Sequence, residues 1–364
     1  MIELFLLHLL MLSLLLGLYP NVVLNNFNFY LFDVVVSVIF FYSYTLFKYR
    51  NTKVDFTIFA LILYFFVLLL INTKFLFEAS SFLYLLRIFM YLSTYPFFSL
   101  ILSKYTKKLV NTLVIYIFLS LIINLVVFYI YPYLNVLGFD PHKNRIYGQL
   151  LDPNYYAVAL SILIFVLLHT KYKFSGLVYL NLLLAFISIL MSQSRLGLFS
   201  LFIVISLSFK KFRYFEYLYV VFGGVILALL NFNFLSRFLF LEGNFDSFFY
   251  RILDFFDGLI IFNQVKFPVG FNNIKTNVLF LNSVANNSSS YFDFFVFNLL
   301  LTGGFVLIIA FSLALVYFRG VSNTNYLKVL FLTIFLSFGM NIFFHPYFLL
   351  IIPVLLGYIN VNRV

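Results

Sequence analysis

Apolar residues come in long blocks separated by short polar stretches along most of this 364-residue chain. A helix needs about 20 predominantly apolar residues to cross the hydrocarbon core of a bilayer. On that criterion the blocks predict about twelve spans, with about ten as the lower bound. They fall at residues 2–18, 30–46, 56–71, 82–102, 109–131, 154–168, 177–191, 196–209, 214–230, 291–317, 326–344 and 346–361. The pairs 177–191/196–209 and 326–344/346–361 have almost nothing between them, so each reads as a tight helical hairpin. The fold class expected is an all-α polytopic membrane protein, with residues 1–364 forming one integral membrane domain.

Two polar stretches are too long to be simple turns. One covers 132–153 and runs through LGFDPHKNRIYGQLLDPNYYA into the next apolar run; the other covers 231–290 and is rich in Asn, Ser and Phe. Connections of that length inside a compact protein are usually functional or disordered. Both mix aromatic with charged residues, so they are expected to fold as caps over one face, the second partly helical.

Composition agrees with the block pattern. Hydrophobic residues make up 64% of the chain and charged residues 10%, against roughly half and a quarter in soluble domains. The first apolar run lacks a basic start and a small-residue cleavage site, so it reads as a first span and not as a signal peptide. Cysteine is absent, which removes disulfides and thiolate chemistry. No Walker loop, GxGxxG or metal-ligand cluster is present, so no cofactor or metal is expected.

The net charge of +11 is spread in short clusters between apolar runs, not gathered as a nucleic-acid patch. With a cytoplasmic N-terminus, every cytoplasmic loop is basic: Lys48, Arg50 and Lys53; Lys104, Lys107 and Lys108; Lys171 and Lys173; Lys210, Lys211 and Arg213; Arg319 and Lys328. Arg363 puts the C-terminal tail on the same side. Acidic residues lean outward, at Glu78, Asp140, Asp152, Glu242, Asp246, Asp254, Asp257 and Asp293. This is the positive-inside distribution. Arg87 lies well inside a span and must face a polar interior or a partner.

On this topology both long segments and the turn Ser192-Gln193-Ser194-Arg195 emerge on the outer face. Arg195 reads in two ways. It snorkels to headgroups, or, beside the donors Gln193 and Ser194, it holds an anionic ligand. Asp152-Pro-Asn154 is either a plain N-cap or an elbow that brings Asn154 and Arg145 into a site. From Phe248 to Phe262 apolar residues recur at helical spacing, with Arg251, Asp254 and Asp257 on one face. That stretch fits a helix lying on the membrane surface or a wall of a site. His142 and His345 are outer histidines, structural or proton-accepting; His8 and His169 lie at or near the cytoplasmic side.

Taken in order, these stretches resemble the O-antigen polymerase and O-antigen ligase superfamily of bacterial envelopes. Arg145 to Gly148 is followed by Asp152-Pro-Asn-Tyr-Tyr-Ala157, then by Ser194-Arg195-Leu-Gly197. Next come a long segment with the turn Pro268-Val-Gly270 and a polar stretch, Asn286 to Tyr291, that leads to Gly303-Gly304. The resemblance covers roughly 140–317. Ligases resemble one another in a His-Asn before the closing span; the matching stretch NSVANNSSSYFDFF has no histidine, which favours a polymerase.

The resemblance implies a GT-C-like membrane glycosyltransferase acting on the outer face of the bacterial inner membrane. It implies metal-independent, inverting transfer between glycans carried on undecaprenyl diphosphate. Arginine's planar fork suits phosphate, so Arg195, Arg251 and Arg145, in that order, become the expected diphosphate contacts, and Arg237 is a further substrate-binding candidate. Asp254, Asp257, His142 and Asp293 are acceptor-side candidates. Asn154, Ser194 and Gln193 are expected to bind substrate, and Tyr147, Tyr250 and Tyr291 to stack on sugar rings. A chain-length regulator and a flippase of the same pathway are the implied protein partners. A flippase or a ligase is the alternative to a polymerase.

Overall fold

The computed structural model describes residues 2–17, 21–24, 27–72, 79–130, 146, 148–150, 152–169, 176–208 and 349–361. Helix predominates among them. The order is α1 (Ile2–Leu16), β1 (Asn21–Leu24), β2 (Phe27–Tyr30), α2 (Leu31–Tyr44), α3 (Thr52–Asn72), α4 (Ala79–Leu92), α5 (Tyr95–Lys104), α6 (Thr106–Ile130), α7 (Pro153–His169), α8 (Gly176–Ser192), α9 (Arg195–Ser208) and α10 (Ile351–Val361). Short 3-10 turns occupy Phe47–Tyr49 and Gly148–Leu150.

Nine of the expected apolar runs coincide with these elements to within a few residues. The runs at 214–230, 291–317 and 326–344 lie outside the described residues. Two helical stretches, Phe82–Lys104 and Thr106–Tyr129, are long and apolar enough to cross a membrane. At 25 residues, α6 is about 37 Å long, enough for a hydrocarbon core of about 30 Å.

Two expectations change. The run at 82–102 keeps the length of a span but is interrupted: α4 stops at Leu92, and after Ser93-Thr94 the helix restarts at Tyr95-Pro96. Proline is well placed there, because its missing N–H falls in the first helical turn, where no partner is needed. The all-α expectation also gains an antiparallel hairpin, with Asn21 opposite Tyr30 and Leu24 opposite Phe27. Val22, Val23, Phe27, Phe29 and Tyr30 are β-branched or aromatic, the types a pleated surface favours.

The helices pack as two buried clusters. One joins α1, α2, α4 and α5 with the start of α10. Its close point is Gly357, where an added Cβ would stand 2.8 Å from the backbone nitrogen of Ser99; Ser99 Oγ donates to the Gly357 carbonyl at 3.3 Å. The other joins α6, α7, α8 and α9. Buried hydroxyls inside these apolar surroundings bond carbonyls one turn back, as Ser43 does to Ile39 at 2.7 Å and Ser161 to Ala157 at 2.9 Å.

The contacts also fix two ends. Tyr42, near the close of α2, hydrogen-bonds Glu3 at the start of α1 and lies beside Tyr105, between α5 and α6. Asn181, early in α8, donates to the carbonyl of Val114, early in α6, at 2.8 Å. Late in the same helices, the Tyr129 hydroxyl reaches the Met191 sulfur at 4.0 Å. So α6 and α8 run the same way, and the Gln193–Arg195 turn sits at the end opposite Tyr105.

Candidate functional site

Three short contacts build an elbow at that opposite end. Asp152 caps α7: its Oδ1 accepts from the backbone N–H of Asn154 at 2.7 Å and of Tyr155 at 3.0 Å. Pro153 fills the first helical position, where a missing N–H leaves no gap. The next turn is built the same way. Ser194 caps α9, its Oγ accepting from Gly197 N–H at 3.0 Å. Gln193 before it takes a left-handed conformation (φ 50) that closes α8.

The two caps are then tied together. Ser194 Oγ donates to Asn154 Oδ1 at 2.7 Å, so one hydroxyl serves both α9 and α7. The helices can approach this closely because Gly197 faces Ala157: an added Cβ at 197 would stand 2.2 Å from the Ala157 methyl. Ser161 Oγ adds a bond to the Gly197 carbonyl at 3.3 Å. A third strut comes from the segment before α7. Gly148 has φ +57, and a Cβ there would stand 2.4 Å from the Tyr156 ring. The Tyr156 hydroxyl accepts from Asn124 Nδ2 of α6 at 3.2 Å, and Ile146 N–H donates to the Met191 carbonyl at 3.3 Å.

The N-cap reading of Asp152-Pro-Asn holds, and Asn154 bonds Ser194; Arg145, the other residue of the elbow reading, lies outside the described residues. Gly148, Asn154, Ala157, Ser194 and Gly197, which come from three separate motifs, meet in one place. Gln193 lies in the connecting turn. The backbone of Arg195 opens α9 at the same point; its side chain lies outside the described residues. So do Arg145, His142, Arg237, Tyr250, Arg251, Asp254, Asp257 and Asp293. Electrostatically, α7 and α9 both present N-termini here, the positive ends of their dipoles. Asp152 takes up two of α7's free N–H groups, and Ser194 takes up one of α9's.

A second polar centre was only half legible in the sequence. Arg87 of α4 meets Asp33 of α2, Nη2 to Oδ2 at 2.7 Å, with side chains 3% and 0% exposed. The same Nη2 donates to the Asn28 carbonyl of β2. The Tyr91 hydroxyl donates to Asp33 Oδ1 at 2.5 Å, and Tyr30 N–H to Oδ2 at 2.9 Å. The rings of Tyr30 and Tyr84 each lie 5.4 Å from the guanidinium carbon. A signal for this partner existed: Asp33 and Arg87 both stand within about two helical turns of the same expected outer face. The centre fastens the hairpin to α2 and α4 and neutralises two buried charges against each other.

Among the described residues no cluster of three or more His, Asp or Glu is arranged to hold a metal ion. Comparison with known protein families, curated proteins and solved structures finds no match for this chain.

Proposed function

We propose that the protein is a membrane glycosyltransferase that polymerises undecaprenyl-diphosphate-linked oligosaccharide repeat units into a surface polysaccharide, on the outer face of the bacterial inner membrane. The observation that carries this reading is the elbow. Two helix N-termini are pinned by the 2.7 Å Ser194–Asn154 bond, and an arginine is the first residue of α9. A cation at a helix N-terminus opposes the dipole; an anion bound there satisfies both. A lipid diphosphate is such an anion, and the positive-inside distribution of lysines supports an elbow on the non-cytoplasmic side.

In the reaction, an acceptor sugar hydroxyl attacks the anomeric carbon of the donor glycan. The bond to the diphosphate breaks with inversion, the leaving lipid diphosphate takes the electron pair, and the attacking hydroxyl's proton passes to one of the acceptor-side groups. Arg195 stabilises the charge that develops on that leaving group. Arg251 and Arg145 are its proposed helpers, Arg237 is a further proposed substrate contact, and Asp254, Asp257, His142 and Asp293 are the proposed acceptor-side groups. A chain-length regulator and a flippase of the same pathway are the proposed partners.

The test is Arg195→Ala in cells that depend on this gene for long-chain polysaccharide. The variant should insert normally yet leave acceptors capped with a single repeat unit, and Arg195→Lys should restore only part of the ladder, since an ammonium lacks the fork. Full-length polymer in Arg195→Ala overturns the proposal. Acceptors with no repeat unit after gene deletion assign the protein to flipping instead, and polymer stranded on the lipid carrier assigns it to ligation.

A further inference from the structure

The end opposite the elbow carries a different chemistry. Lys48 follows α2, Lys53 opens α3, and Lys104, Lys107 and Lys108 flank the α5–α6 junction; all five are exposed. These segments are held together by internal bonds. Tyr95 of α5 accepts from Asn51 N–H at 2.7 Å and donates to Asp55 Oδ1 at 3.1 Å. Arg50 is taken up within the protein, bonded to Asp55 at 3.1 Å and set over the Tyr44 ring at 4.7 Å. The described carboxylates at this end are Glu3 and Asp55; Asp55 holds Arg50, and Glu3 bonds Tyr42. The lysines thus form a collar of cations with little acid among them. Beside them Phe47 and Phe56 are 78% and 72% exposed.

We infer that this collar binds the phosphate headgroups of anionic lipids, with Phe47 and Phe56 set into the acyl boundary beneath them. Exposed lysines with exposed aromatic rings beside them suit a surface where charge lies above hydrocarbon. Ammonium groups on flexible stems bind phosphate as point charges, adaptable to many headgroups, whereas Arg50 is locked into an internal clasp. The collar is remote from the elbow, so this inference stands apart from the proposed polymerase activity.

The full chain is reconstituted in phosphatidylcholine vesicles that contain trace spin-labelled phosphatidylglycerol or trace spin-labelled phosphatidylcholine. The motionally restricted fraction of each label is then read by electron paramagnetic resonance. Phosphatidylglycerol should associate several-fold more strongly. The excess should fall away in about 1 M salt, where the Debye length is about 3 Å. It should also be lost in the variant K48Q/K53Q/K104Q/K107Q/K108Q, whose unchanged thermal unfolding shows that it folds. Equal association of the two labels overturns the inference, as does a phosphatidylglycerol excess that survives the five substitutions. Full competition by soluble glycerol phosphate, or a collar-dependent hold on an oligonucleotide without lipid selectivity, assigns the patch to those ligands and overturns it too.

Discussion

Arg87 and Asp33, 54 residues apart in sequence, form a 2.7 Å ion pair with almost no exposure of either side chain. Removing one partner of such a pair leaves a buried charge uncompensated and costs about 3–5 kcal/mol. Arg87→Met should therefore lower stability by about that much in thermal unfolding of the detergent-solubilised protein. Adding Asp33→Asn removes the stranded charge while keeping an oxygen for the Tyr91 hydroxyl. The double variant should recover more than half of the loss. A double variant no more stable than Arg87→Met would show that the pair's worth lies in the hairpin contacts and not in charge balance.

The approach of α9 to α7 rests on two small residues. Gly197→Ala sets one methyl on another, at a spacing of 2.2 Å before relaxation. Overpacking of this kind typically costs about 1–3 kcal/mol. It should also stretch the Ser194–Asn154 bond, so Gly197→Ala should lose polymer length as well as stability. The compensating change is Ala157→Gly, which deletes the methyl in the way. G197A/A157G should unfold close to the parent temperature and regain activity. If it stays as impaired as G197A, the contact is not what limits the elbow.

What the sequence made legible depended on whether the signal was local. Helix positions followed from apolar blocks, because an apolar block of that length has few other ways to satisfy its backbone. The cap at Asp152 was readable from residue type alone; Ser194 reads in the sequence as a ligand donor, and only the structure shows it capping α9. The hairpin at 21–30 was not, since eight residues of strand offer too short an alternation to outweigh the neighbouring apolar runs. The break at Ser93-Thr94 was hidden in the same way: a small polar pair interrupts an apolar block without changing its average. Partners were the least legible of all. Nothing within one run says that Arg87 meets Asp33, or that Gly148 lies under the Tyr156 ring, because those facts arise from packing between helices. The diphosphate contacts expected in 231–290 lie outside the described residues.

The Asp152 cap gives a local test of stability against function. Asp152→Ala loses two side-chain-to-backbone bonds and should cost about 1 kcal/mol, the usual worth of an N-cap. Asp152→Asn keeps the acceptor and should unfold within about 0.5 kcal/mol of the parent. If the carboxylate serves only as a cap, polymer length in Asp152→Asn will match the parent. A shortened ladder in that variant, with stability intact, would show that its charge also acts at the elbow.

Absence of cysteine makes the arrangement of the two ends directly measurable. Gln193→Cys places a thiol in the α8–α9 turn, and Lys107→Cys places one in the lysine collar. Tyr105, Glu3 and Tyr42 gather at the collar end, whereas Tyr129 and Met191 mark the other. A membrane-impermeant maleimide added to intact cells whose outer membrane has been opened should label Gln193→Cys. Lys107→Cys should react only after the inner membrane is breached. The ratio of labelling before and after permeabilisation should therefore invert between the two variants. Were both thiols labelled from one side, α6 and α8 would not run from collar to elbow across the bilayer. A collar labelled from outside, with the elbow protected, would instead reverse the assembly. It would place Arg195 on the cytoplasmic side, away from any glycan assembled outside.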